Sequence, residues 1–336
     1  MTTKQKVFAT GKMSGNMMAL SRKYLIPGAE MFFYEKEGDR EQHIPAADVL
    51  VVYNSRLTKE WLDRAARCIF IQRYGAGVDT VDLPEACRRG IPVGITSGKN
   101  ARSVAEHAVM LMLAVHKRLI TAHCKIVHEG KWLNTVLRDT AYEISYKKVG
   151  IVGMGNIGRL VAKMLSGFEC EVAYYDVFRL PEEEEKALGV TYADLDSLIQ
   201  RSDIVTIHAP LTEQTHHVID ERRLHMMKPS AVLINTSRGG LVDEKALVEA
   251  LQSGRLRGAG LDVFEKEPID REHPLAKMEN VIVTPHTAGG TNESMEAVVQ
   301  EAFVNINSML QNRTLANEKN IVNLKDLPKK AGAVQL

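Results

Sequence analysis

The hexapeptide Gly153-Met154-Gly155-Asn156-Ile157-Gly158 constrains this chain more than any other stretch. It follows directly on the apolar, β-branched run 149–152 and opens a helical pattern over 157–165. In a strand that turns through glycines into a helix, the first glycine permits the tight turn and the second lets the backbone approach a pyrophosphate. The third allows the helix to pack closely on the strand. The helix start also leaves N–H groups without intrahelical partners, so an anion is its natural ligand. A glycine-rich turn without a ligand is the bland alternative, and the strand–turn–helix context disfavours it. The next apolar run ends at Asp176, whose carboxylate stands where it accepts hydrogen bonds from the adenosine ribose hydroxyls and repels a 2′-phosphate. NAD, rather than NADP, is the expected cofactor.

Short apolar runs alternate with helical stretches through most of the 336 residues, the pattern of βαβ units around parallel sheets covered on both faces. The fold class is therefore α/β. In the first third the expected strands are 6–9, 30–34, 48–53, 68–72 and 92–95, separated by helical stretches such as 59–66. They make one doubly wound unit. A long apolar helix over 103–119 follows, with Ser103-x-x-Glu106 in the form of a capping box. The second unit has expected strands at 149–153, 171–175, 204–208, 231–235, 259–263 and 281–284. Six strands complete a dinucleotide-binding sheet, and a final helix over 293–310 returns the chain to the first unit. The domain expectation is thus a discontinuous domain, 1–102 with 291–336, interrupted by a second over 103–290.

Three late strands of the second unit each run into a chemically useful residue. Residues 231–236 lead to Ser237-Arg238-Gly239-Gly240, 259–263 to Phe264-Glu265-Lys266-Glu267-Pro268, and 281–284 to Pro285-His286-Thr287. In a parallel sheet these ends share one edge, where ligands bind. Reducing a 2-oxo acid needs a cation to hold the carboxylate and polarise the carbonyl, and a proton donor for the oxygen. A guanidinium fork suits the first task and a histidine the second, which assigns Arg238 and His286. Glu267 is expected to hydrogen-bond the imidazole, fixing its orientation and favouring its charged form. Each residue alone has an ordinary structural explanation as a surface ion pair, a helix-start acid or a loop histidine. Their coincidence on one edge does not.

These segments resemble the D-2-hydroxyacid dehydrogenases, in the branch that includes phosphoglycerate dehydrogenase and glyoxylate/hydroxypyruvate reductases, and the likeness extends from Asp48 to about Phe303. Asn235 to Gly240 is similar to the family's Asn-x-x-Arg-Gly-Gly segment, Glu267 (not Glu265) to its Glu before Pro, and Pro285-His286 to its Pro-His pair. The resemblance implies a Rossmann NAD-binding domain inserted into a flavodoxin-like substrate domain. It also implies that Gly153, Gly155, Asn156, Ile157, Gly158, Asp176, His208, Ala209, Pro210, Thr236 and Asp262 bind the cofactor, Asp262 through the nicotinamide carboxamide. Tyr74, Gly75, Ala76 and Gly77 resemble the family's substrate loop, and Asn100 a further position near the substrate and hinge. Gly75 and Gly77 have a physical rationale of their own, since consecutive backbone N–H groups form a nest for a carboxylate. The chain departs from the family at Ser145-Tyr146-Lys147, where a glycine is common, and a regulatory domain of the kind some phosphoglycerate dehydrogenases carry is not expected.

The implied activity is NAD-dependent hydride transfer at C2 of a small D-2-hydroxy or 2-oxo acid of the 3-phosphoglycerate, glyoxylate or hydroxypyruvate type. Which acid stays open, because Arg56, Arg73, Lys99 and Arg102 are further cations that suit a second anionic group. The alternative is an NAD-sensing interaction protein of the corepressor kind that shares the fold, a reading against which the short tails count. The 43 basic and 42 acidic residues leave no net field to attract nucleic acid or an anionic membrane. No apolar run approaches the roughly 20 residues that span a bilayer, and the polar start lacks a secretory signal. A cytoplasmic protein with a small-molecule substrate is expected. The four cysteines are widely scattered and read as reduced thiols, and His123, Cys124 and His128 lack a second ligand cluster, so no metal is expected. A homodimer through the second domain follows from the resemblance, with 103–119 and the segment around Trp132 as the apolar candidates for its interface.

Overall fold

Runs that are apolar at every position, not at alternate ones, become strands buried on both faces. In the computed structural model, which describes residues 4–328, five strands form one parallel sheet, of which β3 is the clearest case: β1 (Lys6–Ala9), β2 (Glu30–Phe33), β3 (Val49–Val52), β4 (Phe70–Arg73) and β5 (Val93–Gly94), in the order β2-β1-β3-β4-β5. Strand β3 shows why its sequence does not alternate. Val49 and Val51 point into a core with Val7, Phe303 and Ile306, while Leu50 and Val52 point into the opposite core with Phe8, Leu62 and Ile71. The helix Asn292–Asn312 supplies Val299, Phe303 and Ile306, one stripe at helical spacing, to the first of these. The free edge of β5 is covered by the chain's own C-terminal segment: Ile321 forms an antiparallel bridge to Gly94, and Val322 N donates to Val93 O at 3.0 Å. This satisfies backbone groups that would otherwise invite another chain.

The second sheet is built from β6 (Lys148–Val152), β7 (Glu171–Tyr175), β8 (Val190–Tyr192), β9 (Ile204–Ile207), β10 (Val232–Asn235), β11 (Gly258–Leu261) and β12 (Val281–Val283), all parallel, in the order β12-β11-β10-β9-β6-β7-β8. It has seven strands where six were expected. The missed one, β8, is three residues long and follows a helix that ends at Gly189 in the left-handed conformation (φ 65°). Three residues carry too little periodicity to be recognised. Strand order reverses between β6 and β9, and that switch point is where a doubly wound sheet offers a crevice to a ligand.

The chain separates into two compact units, Met1–Asn100 with Thr291–Leu336, and Ala101–Gly290. Residues 1–3 and 329–336, part of the expected discontinuous domain, lie outside the described residues. The long apolar helix expected over 103–119 differs from expectation at both ends. It spans Ala101–His116, so Ser103 falls within the first turn and the Ser103/Glu106 pair is no cap at the helix start. It stops because Arg118 turns left-handed (φ 54°), and a new helix, Leu119–Glu129, begins. Ala105, Ala108, Leu111 and Met112 are fully buried beneath the second sheet, while Met110 on another face of the helix is 46% exposed. Within Ser145-Tyr146-Lys147, Tyr146 adopts φ 59°, the left-handed backbone that glycine would take without steric cost. Among the described residues no helix is long and apolar enough to cross a membrane.

Candidate active site

The three glycines after β6 meet three different surroundings. A Cβ on Gly153 (φ 97°) would lie 2.6 Å from the amide nitrogen of Ala209, so only glycine lets this turn pass under the loop that follows β9. A Cβ on Gly158 would lie 2.2 Å from the carbonyl oxygen of Gly153, which fixes the close seating of the helix Asn156–Leu165. Gly155 faces open space and caps that helix without a side-chain hydrogen bond, leaving its first amides to an incoming anion. Asn156 and Ile157 form the first turn. Asp176 holds the loop in shape, its carboxylate accepting from Met154 N at 2.7 Å and Phe178 N at 3.0 Å. Each of its oxygens keeps acceptor capacity for a ribose hydroxyl.

Beside this loop stand two buried polar atoms without a partner among the described residues, Nδ1 of His208 and Oγ1 of Thr236, at the ends of β9 and β10. Burial pushes the His208 imidazole down to about 3, so it is neutral, with Nε2 against Thr206 Oγ1 at 2.9 Å. Buried unpaired groups of this kind cost about 1–3 kcal/mol each unless a ligand satisfies them. The amide cradle, the carboxylate and these two atoms fit a dinucleotide. Ala209 is also part of this edge, its carbonyl accepting from Ser237 Oγ at 2.6 Å, and Pro210 O accepts from Thr215 Oγ1.

Arg238, Glu267 and His286 come together in this same unit. The turn carrying Arg238 is tied by Asn235, whose Nδ2 donates to Arg238 O at 2.8 Å and whose Oδ1 accepts from Ser237 N at 3.0 Å. Gly239 is the residue that sequence reasoning passed over. A Cβ there would lie 1.9 Å from the carbonyl carbon of Phe264, so glycine alone allows the Arg238 turn to lie against the loop bearing Glu267. The only signal available was the Gly-Gly pair after the arginine.

Glu267 accepts from Phe264 N at 3.1 Å through one oxygen and lies 2.7 Å from His286 Nδ1 through the other. Burial raises the Glu267 carboxyl, but the His286 hydrogen bond, the Phe264 amide and the charges of His286 and Arg238 outweigh it and hold the group below its ordinary range. The ionised carboxylate has no proton to give, so Nδ1 of His286 is the donor. His286 is half exposed and sits at φ 54°, with its amide donating to Asp262 O at 2.8 Å. Asp262 itself is fully buried and turned toward this loop: its carboxylate accepts from Thr284 Oγ1, Thr287 N and Ala288 N at 2.6–2.9 Å.

In the other unit the expected substrate loop is placed differently from the simple picture. The Tyr74 side chain is buried in the core, its hydroxyl 3.1 Å from Ser21 Oγ, and burial raises its pKa; only its backbone faces the loop. Gly75, at φ 123°, gives its amide to Thr96 Oγ1 at 2.8 Å, so the expected nest loses one donor, while Ala76 and Gly77 have no hydrogen-bond partner for theirs among the described residues. Asn100 is half-buried and immediately precedes the helix Ala101–His116. Of the four further cations, Arg73 donates to the carbonyls of Val52 and Tyr74, and Lys99 pairs with Glu301 at 3.2 Å. Arg56 and Arg102 are exposed.

Residues 109–288, more than half of the chain, match the family model of the D-isomer specific 2-hydroxyacid dehydrogenase NAD binding domain. The chain is 42% identical over 266 residues to a glyoxylate reductase of Thermofilum pendens, covering 78% of each protein. It is 36% identical to a D-3-phosphoglycerate dehydrogenase of Archaeoglobus fulgidus, over 82% of this chain but only 52% of that protein. Among solved structures, D-lactate dehydrogenase from Aquifex aeolicus, complexed with NAD and lactic acid, superposes with a TM-score of 0.84 at 28% identity, over 95% of this chain and 99% of that one. With a cofactor loop, a reversed strand order and an Arg–Glu–His cluster at the strand ends, the chain belongs to the D-isomer-specific 2-hydroxyacid dehydrogenase family, and NAD is its cofactor.

Proposed function

We propose that the chain interconverts a small 2-oxo acid and its D-2-hydroxy acid, with Arg238 holding the substrate and His286 moving the proton. The observation that carries this reading is the 2.7 Å contact between Glu267 and His286 Nδ1, which commits one ring nitrogen and leaves the other for chemistry. The glycine loop and Asp176 would hold NADH, which when bound would supply the hydride. The Arg238 guanidinium pairs with the substrate carboxylate and draws electron density from the C2 carbonyl. As hydride reaches C2, the carbonyl π pair moves to oxygen and His286 Nε2–H gives that oxygen its proton. Glu267 stabilises the imidazolium beforehand and keeps the ring oriented afterwards. In the reverse direction neutral His286 removes the hydroxyl proton. His208 and Thr236, with their unpaired buried atoms, would hold polar groups of the cofactor, and in the other unit the amides of Ala76 and Gly77 suit an anionic group.

For the substrate we favour glyoxylate or hydroxypyruvate over a phosphorylated acid. Two of the four cations suited to a phosphate are already engaged, Arg73 by backbone carbonyls and Lys99 by Glu301. The first-named relative, a glyoxylate reductase, is also matched over more of its length than the phosphoglycerate dehydrogenase. The test is NADH oxidation, followed by absorbance, with glyoxylate, hydroxypyruvate, pyruvate and 3-phosphohydroxypyruvate. We expect kcat/KM for the first two to exceed that for the phosphorylated acid at least about tenfold. NADH binding without turnover of any acid would instead support the NAD-sensing interaction protein.

We also propose a homodimer. The helices Leu119–Glu129 and Asn134–Thr140 bury no residue fully, and between them Trp132 is 75% exposed, beside exposed Ile126, Val127 and Val136. An apolar surface of this kind fits a second copy. Light scattering that gives a monomer mass would refute it. A cytoplasmic location accords with four cysteines that are all free thiols.

A further inference from the structure

The loop that presents His286 is held from behind by a chain of three side chains within the Ala101–Gly290 unit. Asp262, at the end of β11, receives the amides of Thr287 and Ala288 on its two carboxylate oxygens, and its backbone carbonyl receives the amide of His286. The residues from His286 to Ala288 are therefore referenced to one buried carboxylate. Behind it, Thr284 Oγ1 lies 2.6 Å from Asp262 Oδ1 and 3.0 Å from His107 Nε2.

The direction of these bonds follows from the donor inventory. Both Asp262 oxygens already accept backbone amides, and the single hydroxyl hydrogen of Thr284 is donated to Oδ1. Toward His107 the same oxygen can then only accept, so His107 Nε2 carries the proton. The chain runs His107 N–H to Thr284 O–H to Asp262 carboxylate, with no free choice of tautomer. His107 Nε2 is also 3.7 Å from Asp262 Oδ1, and the side chain is only 14% exposed. Its helix is anchored by the fully buried Ala105, Ala108, Leu111 and Met112, so the donor stands on a rigid element. The front end of the chain needs such support, because a non-glycine residue at φ 54° is held against a local cost of about 1–2 kcal/mol.

We infer that His107 is a positioning residue for His286, acting through Thr284 and Asp262. The inference rests on the proton-transfer role proposed for His286, and it adds a residue that touches neither substrate nor cofactor. His107 fixes the Thr284 hydroxyl, the hydroxyl fixes the carboxylate rotamer, and the carboxylate fixes the loop. Loss of the His107 donor frees the hydroxyl to rotate and loosens the Glu267–His286 geometry without removing a binding contact.

The experiment compares His107→Leu, His107→Gln, Thr284→Val, Thr284→Ser and the double variant His107→Leu/Thr284→Val, with fold checked by thermal melting. We expect His107→Leu to lower kcat about tenfold or more while KM for glyoxylate and the affinity for NADH change less than about twofold. His107→Gln, whose amide N–H reaches the same oxygen, restores kcat to within about threefold of the wild type, and Thr284→Ser stays near it. The double variant loses no more than the worse single one, since both cut the same chain. Unchanged kcat in His107→Leu, failure of His107→Gln to rescue, or additive losses in the double variant would each overturn the inference. If His107→Leu does not fold, Thr284→Val decides, and full kcat there is fatal. Should the wild type turn over no 2-oxo acid, magnetic resonance of the His286 ring still reads the inference: a single sharp environment that broadens in Thr284→Val and not in Thr284→Ser supports it, and identical spectra refute it.

Discussion

Both units are doubly wound parallel sheets, yet they treat the polar ends of their strands in opposite ways. In the Ala101–Gly290 unit the strand ends carry groups whose charge is prepared by neighbours: Glu267 against His286, Arg238 close enough to lower the Glu267 carboxyl, and Asp262 clamping the His286 loop. In the other unit the corresponding groups are consumed internally, Arg73 by carbonyls, Lys99 by Glu301, and the Gly75 amide by Thr96. A shared architecture thus serves two purposes. One sheet edge gathers an arginine, a glutamate and a histidine, while the other engages its polar groups within the fold.

The sharpest way to break this contrast is His286→Gln. Losing a general acid is expected to cost about a thousandfold in kcat, equivalent to about 4 kcal/mol, while NADH binding measured by fluorescence persists. Retained turnover would move the chemistry elsewhere.

Acid should separate the two units next. His208 and His116 are buried in the Ala101–Gly290 unit and pushed down to about 3 and about 4 by burial, whereas the other unit has only His43, half-buried between the rings of Phe8 and Phe32. Both buried rings refuse a proton when folded and accept one when unfolded, so stability falls as pH drops below the ordinary value of 6.5. At pH 5 the loss is about 2 kcal/mol from each ring, as an order of magnitude. Hydrogen exchange at pH 7 and pH 5 should show protection lost first in Ala101–Gly290, and a His116→Phe variant should have a flatter profile. Equal loss in both units would contradict this.

A smaller effect belongs to Asp176→Ala. It removes a bond to Met154 N as well as the ribose acceptor, so NADH affinity should fall about tenfold and the preference over NADPH should narrow. An unaltered NADH:NADPH ratio would take Asp176 out of the site. Smallest of all is Tyr74→Phe, which loses one neutral hydrogen bond to Ser21 and should cost about 1 kcal/mol of stability with little change in KM for glyoxylate. A large rise in KM would return the Tyr74 side chain to the substrate.

Much of this was legible in the sequence because it is local. Residues 149–158 state a strand, a turn and a helix within ten positions. The Arg238, Glu267 and His286 positions were legible for a related reason: each lies within three to six residues of the end of a recognisable strand, and parallel strands end on a common edge. Strand β8 was not, being too short for periodicity, and neither was the true start of the helix at Ala101, where Ser103 imitates a cap.

What the tertiary structure alone decided are facts about residues distant in sequence. That Gly239 must be glycine depends on Phe264, 25 positions away, and that Tyr74 is core depends on Ser21. Asp262 faces the His286 loop because Thr284, Thr287 and Ala288 present it with three donors, and a buried carboxylate turns to where its charge is best satisfied. The sequence by itself determined the alternation of strands and helices and the chemistry available at their ends. Which of those groups are spent on holding the fold, and which are left to act, was decided by packing, because a hydrogen-bond donor or acceptor already satisfied within the protein is no longer free to serve a ligand.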